Sequence, residues 1–476
     1  MTPRTLLFLL FALSALSACT HESASSRLER EMHGAYPTEA SPTGVVRDFA
    51  ITAAPGERAP LSPGGTPLAV WSYNGTTPGP TLRVRLGETV RVAFSNHLPD
   101  ETTIHWHGVR VPNGMDGVPH ATQPPVAPGG TFVYEFTPKD AGTFWFHPHV
   151  RSSEQVERGL YGVLIVEDRE PPPYAQDVVW VLDDWLLGAD RQLDTRFNTP
   201  HDLMHDGRWG NVVTVNGRTD TTLAVRAGDR IRLRLLNASN GRIYVPDLAA
   251  LGDGVRIIAV DGLYLRAPIP PGRFELAPGN RVDLDVTFAG AESRVIPIRD
   301  TFTREGHTLA TILVDDIAPP APAFPSPAHA VVPTWADALA TPVTHELRLA
   351  ARRGGPFGLE WTLNGVAFAG HEAAAPAAHA AHDHASFRLP RGRFAHLRFV
   401  NESARLHPIH LHGMFFKLLA RNGTPVDEGF FRDTVLVHGK ETVDVGLVPL
   451  DAGSWMLHCH ILEHAEAGMM TMIAVD

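Results

Sequence analysis

The chain has 476 residues, enough for several domains with sizeable buried cores. Its 42 glycines, 40 prolines, 20% charged and 43% hydrophobic residues exclude a disordered chain and point to a turn-rich, strand-rich protein. A net charge of −11 with no basic stripe excludes nucleic acid as an expected partner.

The N-terminus reads "MTPRTLLFLLFALSALSAC". One arginine precedes an apolar run from Thr5 to Ala18, too short for a comfortable membrane span, so residues 1–19 read as a secretory signal. Leu16-Ser17-Ala18-Cys19 resembles a bacterial lipobox, which would make Cys19 a lipidated membrane anchor. Thr20 stands where an inner-membrane retention signal would show Asp, so the expected address is the cell envelope, in the periplasm on the outer membrane. An ordinary cleaved signal ending near a cysteine is the alternative. Residues 20–42 are polar and read as a tether. With Cys19 spent on lipid, only Cys459 remains, and a secreted chain with one thiol invites a metal-ligand or catalytic explanation.

Three blocks then repeat: "YNGTTPGPTLRVRLGETVRVAFSN", "VNGRTDTTLAVRAGDRIRLRLLN" and "LNGVAFAG…FRLPRGRFAHLRFVN". Each opens on Asn-Gly (Asn74, Asn216, Asn364) and closes on an asparagine (Asn96, Asn237, Asn401), with a glycine nine positions earlier (Gly87, Gly228, Gly392). Apolar and polar residues alternate between, as in Val90, Val92 and Phe94, the pattern of half-buried strands. The expectation is an all-β chain of three consecutive Greek-key β-sandwiches at 43–168, 175–317 and 339–476. "EDREPPPY" separates the first two, and a Pro-rich linker at 318–338 separates the last two.

Chemistry sits on the outer repeats. The first has "IHWHG" and "DAGTFWFHPH"; the third has "IHLHG" and "DAGSWMLHCH". On a strand, residues i and i+2 share a face, so each His-X-His projects two imidazoles together. Opposed faces would gather His105, His107, His147, His149, His410, His412, His458 and His460, too many for one ion and about right for a metal cluster. Cys459, between two of these histidines, must then face its own domain. His464 lies five residues on and Met469 five more, and His407 lies three before His410; two imidazoles, a thiolate and a thioether are the ligand set of a blue-copper site. The first repeat has Thr102, Pro148, Ser153 and Arg158 at the corresponding places, so it keeps the cluster histidines and lacks the single-ion set.

These motifs, "HWHG", "HPH", "HPIHLH" and "HCHILEHAEAGM", resemble the three-domain multicopper oxidases, the bacterial laccase-like enzymes built of cupredoxin-like domains. The resemblance covers nearly the whole chain after the tether. It implies four copper ions. His407, Cys459, His464 and Met469 would hold the type 1 ion, and His105 and His410 the type 2 ion. His107, His147 and His460 would hold one type 3 ion, and His149, His412 and His458 the other. It further implies that electrons taken singly from a small donor reduce dioxygen to water. Asp116, in "PNGMDGVP", matches the family's acid near the type 2 ion; a turn aspartate before Gly117 is the plainer reading. Some relatives carry an acid directly after the type 1 histidine. Here Ala465 stands there, with Glu463 and Glu466 as possible substitutes.

The expected activity is oxidation of phenols, aromatic amines or similar donors by dioxygen, in a monomer. The alternatives are a periplasmic cuprous oxidase for copper tolerance and a non-enzymatic copper-storage protein. A His-rich insertion, "HEAAAPAAHAAHDH" at 371–384, reads as an Ala-rich loop or as a copper-gathering lid.

Overall fold

The structure is a computed structural model that describes residues 23–35, 42–58, 61–289, 294–317, 323–329, 336–368 and 387–476. The signal, Cys19 and the His-rich insertion lie outside the described residues.

Six sheets form three face-to-face pairs, from residues 46–167, 176–317 and 345–475. Each pair is a cupredoxin-like sandwich with the same opening move. The first long strand runs parallel to the strand that ends each repeat: Val46–Arg58 with Thr89–Asn96, Gln176–Trp185 with Arg230–Asn237, and His345–Arg353 with Ala395–Asn401. The alternating residues Val90, Val92 and Phe94, and their counterparts in the other copies, point into the core as the alternation requires.

The asparagines that mark the repeats are structural. Asn74, Asn216 and Asn364 all have positive φ, at 55°, 52° and 53°, a conformation asparagine tolerates better than most side chains. Each amide oxygen accepts a backbone N–H from the neighbouring first strand, and each amide NH₂ donates to a carbonyl of that strand. The buried closing asparagines also share one role. Asn96, Asn237 and Asn401 each donate to one carbonyl of the following loop (Asp100, Arg242, Arg405) and to one of a distant segment (Val126, Leu276, His438), and accept the N–H of the residue two positions on. Such a satisfied buried amide fixes the loop after the strand. In the first and third copies that loop leads into the His-X-His strand.

One segment departs from the sequence expectation. Part of the 20–42 "tether" is a helix, Ala24–Ala35, docked on the body of the protein. Leu28 and Met32 stand at i and i+4, are buried, and join the first sandwich's core. Glu29 accepts the Phe394 N–H, and Arg27 pairs with Asp337. Two apolar residues one turn apart suffice to dock an otherwise polar helix. The described part of the Pro-rich linker packs on the middle sandwich: Arg230 lies over the Phe324 ring at 3.8 Å and donates to the Phe324 carbonyl.

The first and third sandwiches share a core. Phe415, Leu419 and Val448 pack in one apolar cluster with Trp106, Val109 and Phe136. That shared packing brings the two histidine-bearing faces together.

Candidate metal centre

In the first sandwich, His105–His107 pairs antiparallel with Gly142–His147, and His105 lies opposite His147. In the third, His407–Leu411 pairs antiparallel with Gly453–Cys459, and His410 lies opposite His458. The registers correspond, so the repeated motifs present the same constellation twice. The two halves meet ring on ring: His105 stacks on His412 at 3.8 Å and His107 on His410 at 3.7 Å. His147 and His460 approach to 5.4 Å, and His149 and His458 to 5.1 Å. All eight are buried, converging as the sequence implies.

The hydrogen bonds assign one inward nitrogen to most rings. His105 donates from Nδ1 to the Asp116 carbonyl at 2.8 Å, and His410 from Nδ1 to the Asp433 carbonyl at 2.9 Å. His147 and His458 donate from Nδ1 to the Pro148 and Cys459 carbonyls. His412 donates from Nδ1 to the Asp116 carboxylate at 2.9 Å, and His107 alone is held from Nε2, 3.3 Å from the Asp433 carboxylate. The opposite nitrogens of His105, His107, His147 and His410, and both nitrogens of His460, are buried with no hydrogen-bond partner. Burial holds His107, His147, His410, His412, His458 and His460 below the ordinary histidine range, so these rings are neutral. Several inward lone pairs in a buried pocket are costly unless a cation binds them. The donor set fits metal ions with imidazole preference.

Cys459 faces the other way, as strand alternation demands. Its Sγ lies 3.6 Å from His407 Nδ1 and 3.8 Å from His464 Nδ1. His464 donates from Nε2 to the His205 carbonyl at 2.8 Å, so its Nδ1 carries a lone pair. That Nδ1 sits 3.1 Å from His407 Nδ1, a contact a shared cation would stabilise. Burial pushes the Cys459 thiol up and His464 down to about 3. A bound cation would reverse the first effect by favouring thiolate. Met469 is buried in the same apolar cluster, and its carbonyl accepts the Cys459 N–H at 3.0 Å. In the first sandwich the corresponding spot holds a neutral hydrogen bond, from Thr102 Oγ1 to Gln155 at 2.7 Å.

Models of the family described as multicopper oxidase match residues 57–171 and 362–476, the two histidine-bearing thirds. The multicopper oxidase MmcO of Mycobacterium tuberculosis is 30% identical over 96% of this chain and 93% of its own length. The chain belongs to the multicopper oxidase family. A solved multi-copper oxidase from Pseudomonas thermotolerans is 34% identical, with a TM-score of 0.79 over 91% of this chain and all of that one. A laccase from Pediococcus acidilactici is 28% identical, with a TM-score of 0.75 over 93% of this chain and 92% of that one. The family includes both laccases and copper resistance proteins. As a multicopper oxidase, this chain is a copper-dependent enzyme that couples oxidation of an electron donor to reduction of dioxygen.

Several residues at the oxidase's centre escaped the sequence reading, and they share one feature: no histidine motif marks them. Asp433 touches both His107 and His410 and is clamped by Arg281 of the middle sandwich at 2.6 Å. Burial works against ionisation of Asp433, yet Arg281 and the His410 N–H outweigh it and hold the carboxyl low. Asp261, also from the middle sandwich, accepts the N–H groups of Asp433 and Thr434. Gly279, at φ +86°, lies against the cluster, and a Cβ there would come 2.9 Å from both His107 and His460. The sandwich that has no histidine pairs thus supplies the wall behind them.

Asp116 ends a short turn before Gly117 and is buried between His105 and His412, at the cluster. Glu463 is not at the cluster. Its carboxylate accepts from Asn240 and from the Arg208 N–H, tying the third sandwich to the middle one.

Proposed function

We propose that the chain is a four-copper oxidase in which His407, Cys459, His464 and Met469 hold a type 1 ion. In the same reading, His105 and His410 hold the type 2 ion. His107, His147 and His460 hold one type 3 ion, and His149, His412 and His458 the other. When bound, the type 1 copper would accept single electrons and the three-copper cluster would deliver four of them to dioxygen. The observation that carries this reading is the pair of inward-facing sites built back to back on one short strand: His458 and His460 on one side of the backbone, Cys459 on the other.

The protein's own groups do the rest. The carbonyls of Asp116, Asp433, Pro148 and Cys459 fix ring tautomers, so that each imidazole presents a chosen nitrogen. Asp116 is the buried acid placed to hold or pass a proton at His412 Nδ1, and oxygen reduction to water consumes protons. Burial of all the rings excludes bulk water from the site.

Two donor classes remain in view. Aromatic donors are the first, as for a laccase. The second, cuprous ion, is favoured by one observation: His464, the natural electron entry, is fully buried and its outward nitrogen is taken by the His205 carbonyl. A lipid-anchored periplasmic location follows only from the sequence of residues 1–19 and is part of the proposal. Stopped-flow comparison of oxygen consumption with Cu(I) and with a phenol tests the choice. Turnover at least about tenfold more efficient with Cu(I) supports the second reading, and the reverse supports the first.

A further inference from the structure

We propose that His201, Met204 and His205, on the short helix that covers His464, form a docking site for the cuprous ion, with electrons entering the protein at His464. The proposal rests on the reading of His407, Cys459 and His464 as a copper site, and adds to it the place where the donor binds.

The helix Pro200–Met204 belongs to the middle sandwich but is fastened to the third. Thr199 caps it. Its hydroxyl accepts the Asp202 N–H, and the Asp202 carboxylate accepts the Thr199 N–H. Leu203 is buried in the third sandwich's core, and its carbonyl accepts the indole N–H of Trp361 at 2.9 Å. Trp361 in turn lies 4.3 Å from the His464 ring.

His201, Met204 and His205 stand at i, i+3 and i+4, so they share the face opposite Leu203. The turn closes through the His205 N–H to the His201 carbonyl at 3.1 Å. All three are exposed, and Met204, at 55%, is one of few large apolar side chains so exposed among the described residues. The His201 and His205 rings lie 4.5 Å apart. Two imidazoles and a thioether are neutral, polarisable ligands of the kind Cu(I) prefers. His205 offers its ring to solvent while its carbonyl accepts the His464 Nε2–H. One residue therefore joins the exposed ligand to the buried ring, and no donor needs to touch His464. Each Cu(I) loses one electron and leaves as Cu(II). Four such losses, with four protons, reduce one dioxygen to two waters.

The test uses the copper-loaded full chain and the double variant His201→Ala/Met204→Leu, which leaves the His205 carbonyl in place. Ag(I), redox-inert and with similar ligand preference, is titrated calorimetrically into both proteins. Residues 371–384 also carry histidines, so the readout is the difference between the two titrations. The proposal expects one Ag(I) site to be lost, KM for Cu(I) to rise about tenfold or more, and ferrocyanide turnover and the blue absorption to stay unchanged. Equal Ag(I) stoichiometry, or an unchanged KM for Cu(I), overturns it. A wild-type protein with neither blue absorption nor ferrocyanide turnover would instead overturn the copper-site reading beneath it.

Discussion

The Asp116 carboxylate accepts a hydrogen bond from His412 Nδ1, 2.9 Å away, across the seam between the first and third sandwiches. One residue of a turn in the first sandwich therefore orients a ring contributed by the third, while its own backbone carbonyl holds His105. Replacing it by asparagine keeps the size and removes the charge. Asp116→Asn is expected to lower oxygen turnover about 10–100-fold while the blue absorption persists, because the thiol site lies on the other side of the strand. Parallel oxygen-electrode and absorption measurements check it.

Gly279→Ala tests the wall supplied by the middle sandwich. The backbone there is left-handed, and the added methyl would meet His107 and His460 at 2.9 Å. Neither buried ring can yield without moving its ligand nitrogen. Elemental analysis is expected to find cluster copper depleted, with the blue site loaded. Full copper content would show that the rings have room.

Arg281→Met tests the charge balance behind the cluster. Arg281 is fully buried and pairs with Asp433 at 2.6 Å. Removing it leaves a buried carboxylate unpaired, which costs about 3–5 kcal/mol. The denaturation midpoint should fall accordingly, and Arg281→Lys should recover only part of the loss because the two-pronged contact is gone.

Asp183 supplies a pH test away from the metal ligands. It is buried, takes a hydrogen bond from Tyr161, and burial raises its pKa to about 8, with neighbouring Asp184 adding to the rise. A raised acid holds its proton longer when folded than unfolded. Its contribution is fully present below the unfolded aspartate range near pH 4 and is lost as pH rises through about 8. Wild-type stability should therefore fall across that window by up to about 1.4 kcal/mol per pH unit relative to Asp183→Asn. Parallel melts of the two proteins between pH 5 and 9 would detect the converging or diverging midpoints.

Much of this was legible in the sequence because the chemistry is written in repeats. His-X-His at matched places in two copies gave the converging rings, and strand alternation gave the opposed Cys459. Asn74, Asn96 and their counterparts marked the sandwiches because each satisfies the same backbone groups in every copy. What escaped comes from long-range packing. Arg281, Asp261, Gly279 and His205 lie in the copy without histidine pairs, and their roles arise only when it is pressed against the other two. The helix Ala24–Ala35 escaped because two buried residues, Leu28 and Met32, leave too short an apolar signal in a charged segment.

The central claim is that one strand carries two copper sites on opposite faces. Copper counting with absorption spectroscopy on the wild type and on Cys459→Ser tests it most directly. The expected result is four copper ions and an intense blue band in the wild type, with the variant losing the band and one ion while keeping three. A variant that keeps the blue band, or that loses all its copper while still folded, would contradict it.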